Sequence, residues 1–589
     1  MRHQSYVRVI IGSALLLVPI LRASAQSISC TQSGPSTGAY TVTTCITAPI
    51  DGAAITGSTE VSATVTKSSG APAVTRVVFY LGSEYVLTDY EAPYTFMLPS
   101  DKWVDGTRIL GAQTRMSDGF VTQTATVTNT FLNGISVEPV NPNTFAPYTS
   151  DASATDPFVV VAAGDGADGK SRAVSVTNLI GSWNPDMFLY LGDVYERGST
   201  AEFHNHYGQP DQLFGRFRSI TNPTIGNHEY SLQGGRAYFQ YWDNVPHYYS
   251  YEARGWKFIS LDSTSEFGQT SPGTSQYEWL SNELTSNPAE CTLAYFHHPR
   301  FSVGKYAAET RVTDIWSLLA NSGVDIVLVG HDHNYQRWLP LDGTGTPSDD
   351  GTTQFVVGTA GRTPASFTTT DPRMVMGVYK SPDLYGALRL QLNPHGASYS
   401  FTNIAGATLD SGWRSCSGAP PDAQPPEAPE NLVATPLNAN EMELNWSAAA
   451  DDVAVSAYRI YRDGQLLTTI GPETRFVDSS VSSGSVYTYQ VAAEDGAGNL
   501  STLTPPVQAS TPSSIFADGF ETGSMSAWTK VVGMTVQQTD VFSGSNSARA
   551  STTGTASYAN KTLPTDQQDA FYSLRFKIVR KTTKNLYLI

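Results

Sequence analysis

Two histidines one residue apart, His331 and His333, follow an apolar run, Ile326-Val327-Leu328-Val329, that stops at Gly330. Alternate residues of extended chain point the same way, so both imidazoles can serve one side of a loop. An isolated His-x-His is most often a solvated loop. This one is not isolated: of ten histidines, all but His3 and His395 lie between positions 204 and 333. Four other apolar runs end on polar residues of the same kind, giving Asp165, Asp193, Asn227 and His297. Six side chains thus offer carboxylate, amide and imidazole donors without a thiolate, a set that suits iron, zinc or manganese better than a soft metal. Six donors exceed one tetrahedral zinc. They fit two cations about 3.5 to 4 Å apart that share a carboxylate, where a bridging water becomes a nucleophile near neutral pH and phosphoryl charge is neutralised.

The runs themselves say what must position these groups. Phe158-Val159-Val160-Val161-Ala162-Ala163 leads into Gly164-Asp165-Gly166, and Met187-Phe188-Leu189-Tyr190-Leu191 into Gly192-Asp193. Pro223-Thr224-Ile225 precedes Gly226-Asn227-His228-Glu229, and Thr292-Leu293-Ala294-Tyr295-Phe296 precedes His297-His298-Pro299. Such runs read as buried strands, and the segments between them as crossover helices. One of those helices is amphipathic, with Val312, Ile315, Trp316 and Leu319 on one face and Gly323 as its stop. Ligands of open α/β sheets gather at strand ends along one edge, so five polar clusters so placed predict one site. Strands at 354–357 and 387–392 close the domain near Cys416.

Taken together, Gly164-Asp165, Gly192-Asp193, Gly226-Asn227-His228-Glu229, His297 and Gly330-His331-Asp332-His333 resemble the calcineurin-like metallophosphoesterases, especially the purple-acid-phosphatase-like branch. The likeness covers about 157–416 and implies a four-layer α/β sandwich. It implies that Asp165 and His333 hold a first metal, that Asn227, His297 and His331 hold a second, and that Asp193 bridges them. His228 resembles the group that stabilises the transition state or protonates the leaving alcohol, a task suited to imidazole.

Two departures from the family pattern stand out. The metal-binding tyrosine falls three residues after the bridging aspartate in purple acid phosphatases, but here that position is Glu196 and the tyrosine is Tyr195. Tyr195 either reaches the metal through a local bulge or points away. Related bacterial sequences also carry a substrate-side histidine after the segment matching Arg300-Phe301-Ser302, where this chain has Lys305-Tyr306. Lys305 is expected to offer a positive charge to the substrate phosphate, the plainer alternative being a surface lysine. Among the remaining candidates, His204 and His206 read as surface residues, His298 as directed away from His297, and His247 as part of an aromatic cluster. Arg337 reads as a phosphate contact or the partner of a carboxylate, and Asp332 as an acceptor that orients a flanking histidine.

The whole chain of 589 residues is too long for one core. Its net charge of −17 disfavours nucleic acid as a partner and requires local cations to draw in an anionic substrate. Arg2 and Arg8, an apolar run at 9–21 and Ala23-Ser24-Ala25 read as a signal peptide over 1–25, with no later stretch long enough to span a membrane. Four cysteines suit an oxidising compartment and allow three pairings, of which Cys30 with Cys45 and Cys291 with Cys416 are favoured.

Alternating short runs at 26–135 predict a β-sandwich resembling bacterial immunoglobulin-like modules, followed by a linker at 136–156. A Pro-rich linker at 417–427 leads to a second sandwich at 428–511 that resembles fibronectin type III, with Trp446 as core tryptophan and Tyr487 as corner tyrosine. Residues 515–589 look like the start of a lectin-type sandwich. The expected fold class is therefore multidomain, α/β plus all-β. The expected function is a secreted binuclear metal-dependent phosphatase acting on phosphate monoesters, with cell wall or polysaccharide as a partner of the accessory domains. The competing readings are a phosphodiesterase or nucleotidase on the same site and, from another class, a non-catalytic surface-binding protein.

Overall fold

The apolar runs that precede the candidate residues are strands of two mixed sheets. In the first, Thr221–Pro223, Met187–Tyr190 and Phe158–Ala163 run parallel, and Gly386–Asn393, Gly396–Asn403 and Thr408–Ser415 continue it antiparallel. In the second, Trp256–Ser260, Cys291–Tyr295, Ile326–Val329 and Thr353–Val357 are parallel neighbours, extended by Tyr249–Ala253 at one edge and by Tyr335–Trp338 and Met374–Val378 at the other. Strand alternation explains the layering. Leu293, Tyr295, Ile326 and Leu328 join the first sheet's Val160, Phe188 and Leu390 in one cluster. Ala294, Phe296, Val327 and Val329 face the other way, onto Ile315, Trp316 and Leu319 of helix Thr313–Asn321 and Leu280 of helix Ser275–Ser286. Helix Ser171–Ser182 adds Ala173, Val176 and Ile180 to the first cluster. The order is helix, sheet, sheet, helix. The run Pro223-Thr224-Ile225 differs from expectation: its strand is Thr221–Pro223, and Thr224 already belongs to the turn toward Gly226.

This computed structural model describes residues 28–137, 143–150, 158–306, 308–380, 384–418, 422–513, 518–539, 541, 545–550 and 557–563. The proposed signal peptide lies outside them, as do parts of the 136–156 linker and most of 515–589. Among the described residues no helix is long and apolar enough to cross a membrane.

The chain divides into two units, Met1–Pro420 and Pro421–Ile589. Besides the α/β sandwich, the first contains a β-sandwich with a four-stranded and a five-stranded sheet closed over Val61, Phe79, Phe96, Leu110 and Val127. Its outermost strands include Glu84–Asp89 in one sheet and Tyr94–Pro99 in the other. Cys30 pairs with Cys45 and Cys291 with Cys416, as favoured from sequence. The second unit holds a sandwich of three and four strands around Leu444, Trp446, Tyr458 and Val491. There the Tyr487 hydroxyl accepts the Ser482 N–H at 2.7 Å, as a corner tyrosine does. Beyond it, Lys530–Val532 pairs with Tyr558–Asn560, and Met534–Gln537 with Ser547–Ala550.

Candidate metal centre and active site

Three of the six candidate residues sit just past a strand end with left-handed backbone: Asp165 at φ 60°, Asp193 at 70° and His331 at 68°. Side chains other than glycine rarely adopt this region, and here the sharp turn aims all three at one point. The glycines before the donors have a steric reason. A Cβ on Gly226 would lie 2.2 Å from Asp193 Oδ1, and one on Gly330 would lie 2.7 Å from Asp165 Oδ2.

The candidate groups converge. One donor atom from each of Asp165, Asp193 and His297 lies within 4.8 Å of the others, and the same holds for His297, His298 and His331. Asp193 Oδ2 is 3.3 Å from His297 Nε2, and Asp165 Oδ1 is 3.6 Å from His333 Nε2. Main-chain carbonyls set the tautomers, since a carbonyl only accepts. His297 Nδ1 donates to Leu191 O at 2.7 Å and His333 Nδ1 to Thr363 O at 3.0 Å, so each turns Nε2 inward. His331 presents the other nitrogen, with Nδ1 3.2 Å from His297 Nε2. Asn227 Oδ1 is buried and has no hydrogen-bond partner among the described residues. A buried amide oxygen left without a donor is costly unless a cation completes it. This orphan belongs to a side chain lining the same cleft as Asp193, His331 and His333, and together with the converging carboxylates and imidazoles it fits a metal centre.

Tyr195 takes the inward of its two readings. Its hydroxyl donates to Asp165 Oδ1 at 2.7 Å and lies 3.2 Å from Asp193 Oδ2 and 2.9 Å from His333 Nε2. His228 stands at the rim, with Nδ1 donating to Glu196 O at 2.6 Å and Nε2 3.7 Å from Asp193 Oδ2. Above them opens a cleft of about 430 Å³ with Lys305, Tyr306 and Arg362 on its walls.

Several expectations need correction. His206 is buried rather than superficial, because its Nδ1 donates to Tyr195 O at 2.7 Å, and His204 is half-buried against Ser58. His298 does not turn away: its ring centre is 4.5 Å from that of His331, with Ser263 Oγ 2.9 Å from its Nδ1. Asp332 orients no histidine and instead accepts from Ser302 and Asn334, fastening the loop that carries Lys305. Of its two readings Arg337 takes the second, pairing with the Asp410 carboxylate at 2.7 Å. His247 does join an aromatic cluster, 4.2 Å from the Phe267 ring.

Two participants were missed. Glu229, wholly buried, accepts the N–H groups of Asp193, Val194 and Gly226 at 3.2, 2.7 and 3.0 Å and so ties two of the turns together. It stood inside the Gly226–Glu229 motif without being given a role. Arg362 pairs with Glu196 at 2.5 Å and lies over the Tyr195 ring at 4.2 Å. The glycine-rich stretch Gly358-Thr359-Ala360-Gly361 after another strand of the same sheet was the signal for it.

The electrostatics follow from burying so many charges. Burial, then repulsion from Asp193, pushes Asp165 up to about 7 against the opposing pull of His297. Burial also acts on Asp193, but its imidazole neighbours, His297 foremost, hold it well below the usual carboxylate range. Burial works against charge on His297, yet the Asp193 carboxylate raises it to about 10. Burial pushes His331 down to about 3 and His333 to about 4. Near pH 7 the metal-free site therefore carries a proton on His297, and Asp165 is pushed toward its protonated form. Such protons must leave before these groups can ligate. Metal uptake by chelated protein is expected to release about one to two protons per chain and to tighten from about pH 6 to pH 8. Titration calorimetry in buffers of different ionisation enthalpy measures this, and uptake without proton release would remove His297 Nε2 from the donor set.

Residues 153–335 match the family described as calcineurin-like phosphoesterase. They form a calcineurin-like phosphoesterase domain. Residues 43–112 match the bacterial Ig domain family. A solved purple acid phosphatase, PPD1 from yellow lupin seeds, aligns over 65% of this chain and 82% of its own, at 17% identity and a TM-score of 0.37. Among curated proteins, an alpha-amylase of Niallia circulans is 43% identical over 94 residues and the chitinase Chi52 of Paenibacillus xylanexedens 32% over 91 residues. Those stretches are 16% and 15% of this chain, which spans only 7% and 17% of the two relatives.

Proposed function

We propose that the phosphoesterase domain hydrolyses phosphate monoesters with two metal ions. Asp165 and His333 would hold the first, Asn227, His297 and His331 the second, and Asp193 both, with the Tyr195 oxygen beside the first. The observation that carries this reading is Asn227 Oδ1, buried without a donor among the described residues, on a side chain that lines the same cleft as Asp193, His331 and His333. When bound, the cations supply an acidified water and neutralise the phosphoryl oxygens. The chain's own residues do the rest. His228, anchored through Nδ1, keeps Nε2 free to protonate the leaving oxygen at the open side of the cleft. Lys305 and Arg362 place positive charge on the walls of the cleft in a strongly acidic protein.

The deciding comparison is turnover of p-nitrophenyl phosphate against bis(p-nitrophenyl) phosphate, before and after chelation and on returning iron, zinc or manganese. Faster turnover of the monoester that vanishes on chelation is expected. A preference for the diester would make the domain a phosphodiesterase, and no turnover of either by metal-loaded protein would leave the surface-binding reading. For Lys305→Ala, KM for the monoester is expected to rise about fivefold while kcat changes less than about twofold, the size of one partly solvated charge contact. Unchanged KM would return Lys305 to the surface.

The same reading places the protein outside the cell. The apolar run at 9–21 with Ala23-Ser24-Ala25, and two disulfides, support export. The stretches shared with an alpha-amylase and a chitinase support a carbohydrate-rich partner, such as cell wall, for the accessory sandwiches.

A further inference from the structure

The segment that follows Asp193 is held from outside its own domain. Ala201 is buried in the hydrophobic cluster of the N-terminal sandwich. Asn205 Oδ1 accepts the Met97 N–H at 2.8 Å and its Nδ2 donates to Met97 O at 2.8 Å, satisfying the outermost strand Tyr94–Pro99. Ser199 Oγ donates to Val86 O on the outermost strand of the other sheet. Next to Val86, the Tyr85 hydroxyl donates to Glu202, whose carboxylate is wholly buried. Glu202 in turn accepts three main-chain N–H groups, from Glu196 at 2.6 Å and from Arg197 and Ser199 at 3.0 Å each. The carbonyl of Glu196 is the acceptor for His228 Nδ1.

These contacts form one line from the sandwich to the reacting end of the site. We propose that the N-terminal sandwich is part of the catalytic apparatus: Tyr85 and Glu202 are positioning residues that fix the Glu196 carbonyl and thereby aim His228 at the leaving oxygen. A buried carboxylate with four donors holds a loop more firmly than main-chain contacts to solvent would, and removing one donor leaves it under-satisfied and free to shift. His228 then keeps its chemistry but loses its direction. A displacement of about 1 Å suffices to lose much of a proton transfer.

The inference rests on the phosphatase reading, and its test separates the two. In the full-length, metal-loaded chain, Tyr85→Phe is compared with the parent on two esters. An alkyl phosphate such as glycerol 2-phosphate needs a proton on its leaving oxygen, whereas 2,4-dinitrophenyl phosphate does not. The expected result is a kcat about tenfold lower for the alkyl ester and within about twofold for the dinitrophenyl ester, with metal content unchanged. A general loosening of the fold would lower both alike. An equal or larger fall with the dinitrophenyl ester, or no fall with either, overturns the inference. A parent chain that hydrolyses neither ester overturns the phosphatase reading instead. Should Tyr85→Phe fail to fold, Asn205→Ala cuts the more exposed tie to Met97 and is judged by the same two outcomes, with a split of about threefold expected.

Discussion

Asp193→Asn is expected to lower kcat/KM for p-nitrophenyl phosphate by about four orders of magnitude, roughly 5.5 kcal/mol of transition-state stabilisation. The substitution is nearly isosteric, so the turn after Met187–Tyr190 keeps its shape. What changes is charge and direction. Oδ1 accepts the His228 N–H at 3.0 Å, while Oδ2 faces His297 at 3.3 Å and His228 at 3.7 Å. No other described carboxylate lies among all of these groups, and Asp165 is occupied by the Tyr195 hydroxyl and the His331 N–H. An amide retains one acceptor oxygen and cannot carry the shared negative charge that two neighbouring cations require. Bound metal measured by mass spectrometry should fall well below the parent's content per chain. A variant keeping more than about a tenth of parental kcat/KM would remove Asp193 from the bridging position.

Much of this site was legible because its signals are local. Asp165, Asp193, Asn227, His297, His331 and His333 each follow an apolar run, and a turn close after a strand can only emerge at that strand's end. Five such ends meet once the sheets form, so local pattern and final geometry agree. The misread residues depend on contacts made far along the chain. His206 is buried because Tyr195 O needs a donor, and a polar segment rich in Asn and Glu gives no hint of that. Asp332 turns from its flanking histidines to Ser302 because the loop after Pro299 folds back over it. Tyr195 sits one residue short of the family spacing, and spacing alone could not choose between a ring turned in and a ring turned out. Tyr85 and Glu202 are 117 positions apart, so nothing in either neighbourhood announces their contact.

The same contrast separates the two sandwiches. The one at 428–511 belongs to the second unit and closes around Trp446. The N-terminal one shares a unit with the phosphoesterase domain and gives both kinds of sheet edge to the segment at 199–205. Composition made the two look alike. Edge strands that would otherwise stand open are instead covered by a short helical segment of the neighbouring domain, which both blocks association and stiffens that segment.

Replacing His228 should give the second large effect, and one that depends on the substrate. For an alkyl phosphate, His228→Ala is expected to lower kcat by about a thousandfold, within the range for loss of one general acid, while the dinitrophenyl ester loses about tenfold or less. The pH dependence carries the sign. Burial works against a proton on His228, but the Asp193 carboxylate, the Glu196 carbonyl and nearby Glu229 outweigh it, so its pKa lies above that of ordinary imidazole. A general acid must be protonated, so activity should fall as pH rises through the pKa of His228 in the metal-loaded enzyme, where cations on Asp193 oppose the upward pull of that carboxylate. That descending limb should be present for the alkyl ester in the parent and absent in His228→Ala. Glu196 gives this imidazole its carbonyl and a weaker attraction from its carboxylate, so Glu196→Ala should keep the limb but move it to lower pH, even as it frees Arg362 from its ion pair. If His228→Ala lost the same factor on both esters, or retained the limb, His228 would be a structural residue and the leaving oxygen would take its proton elsewhere.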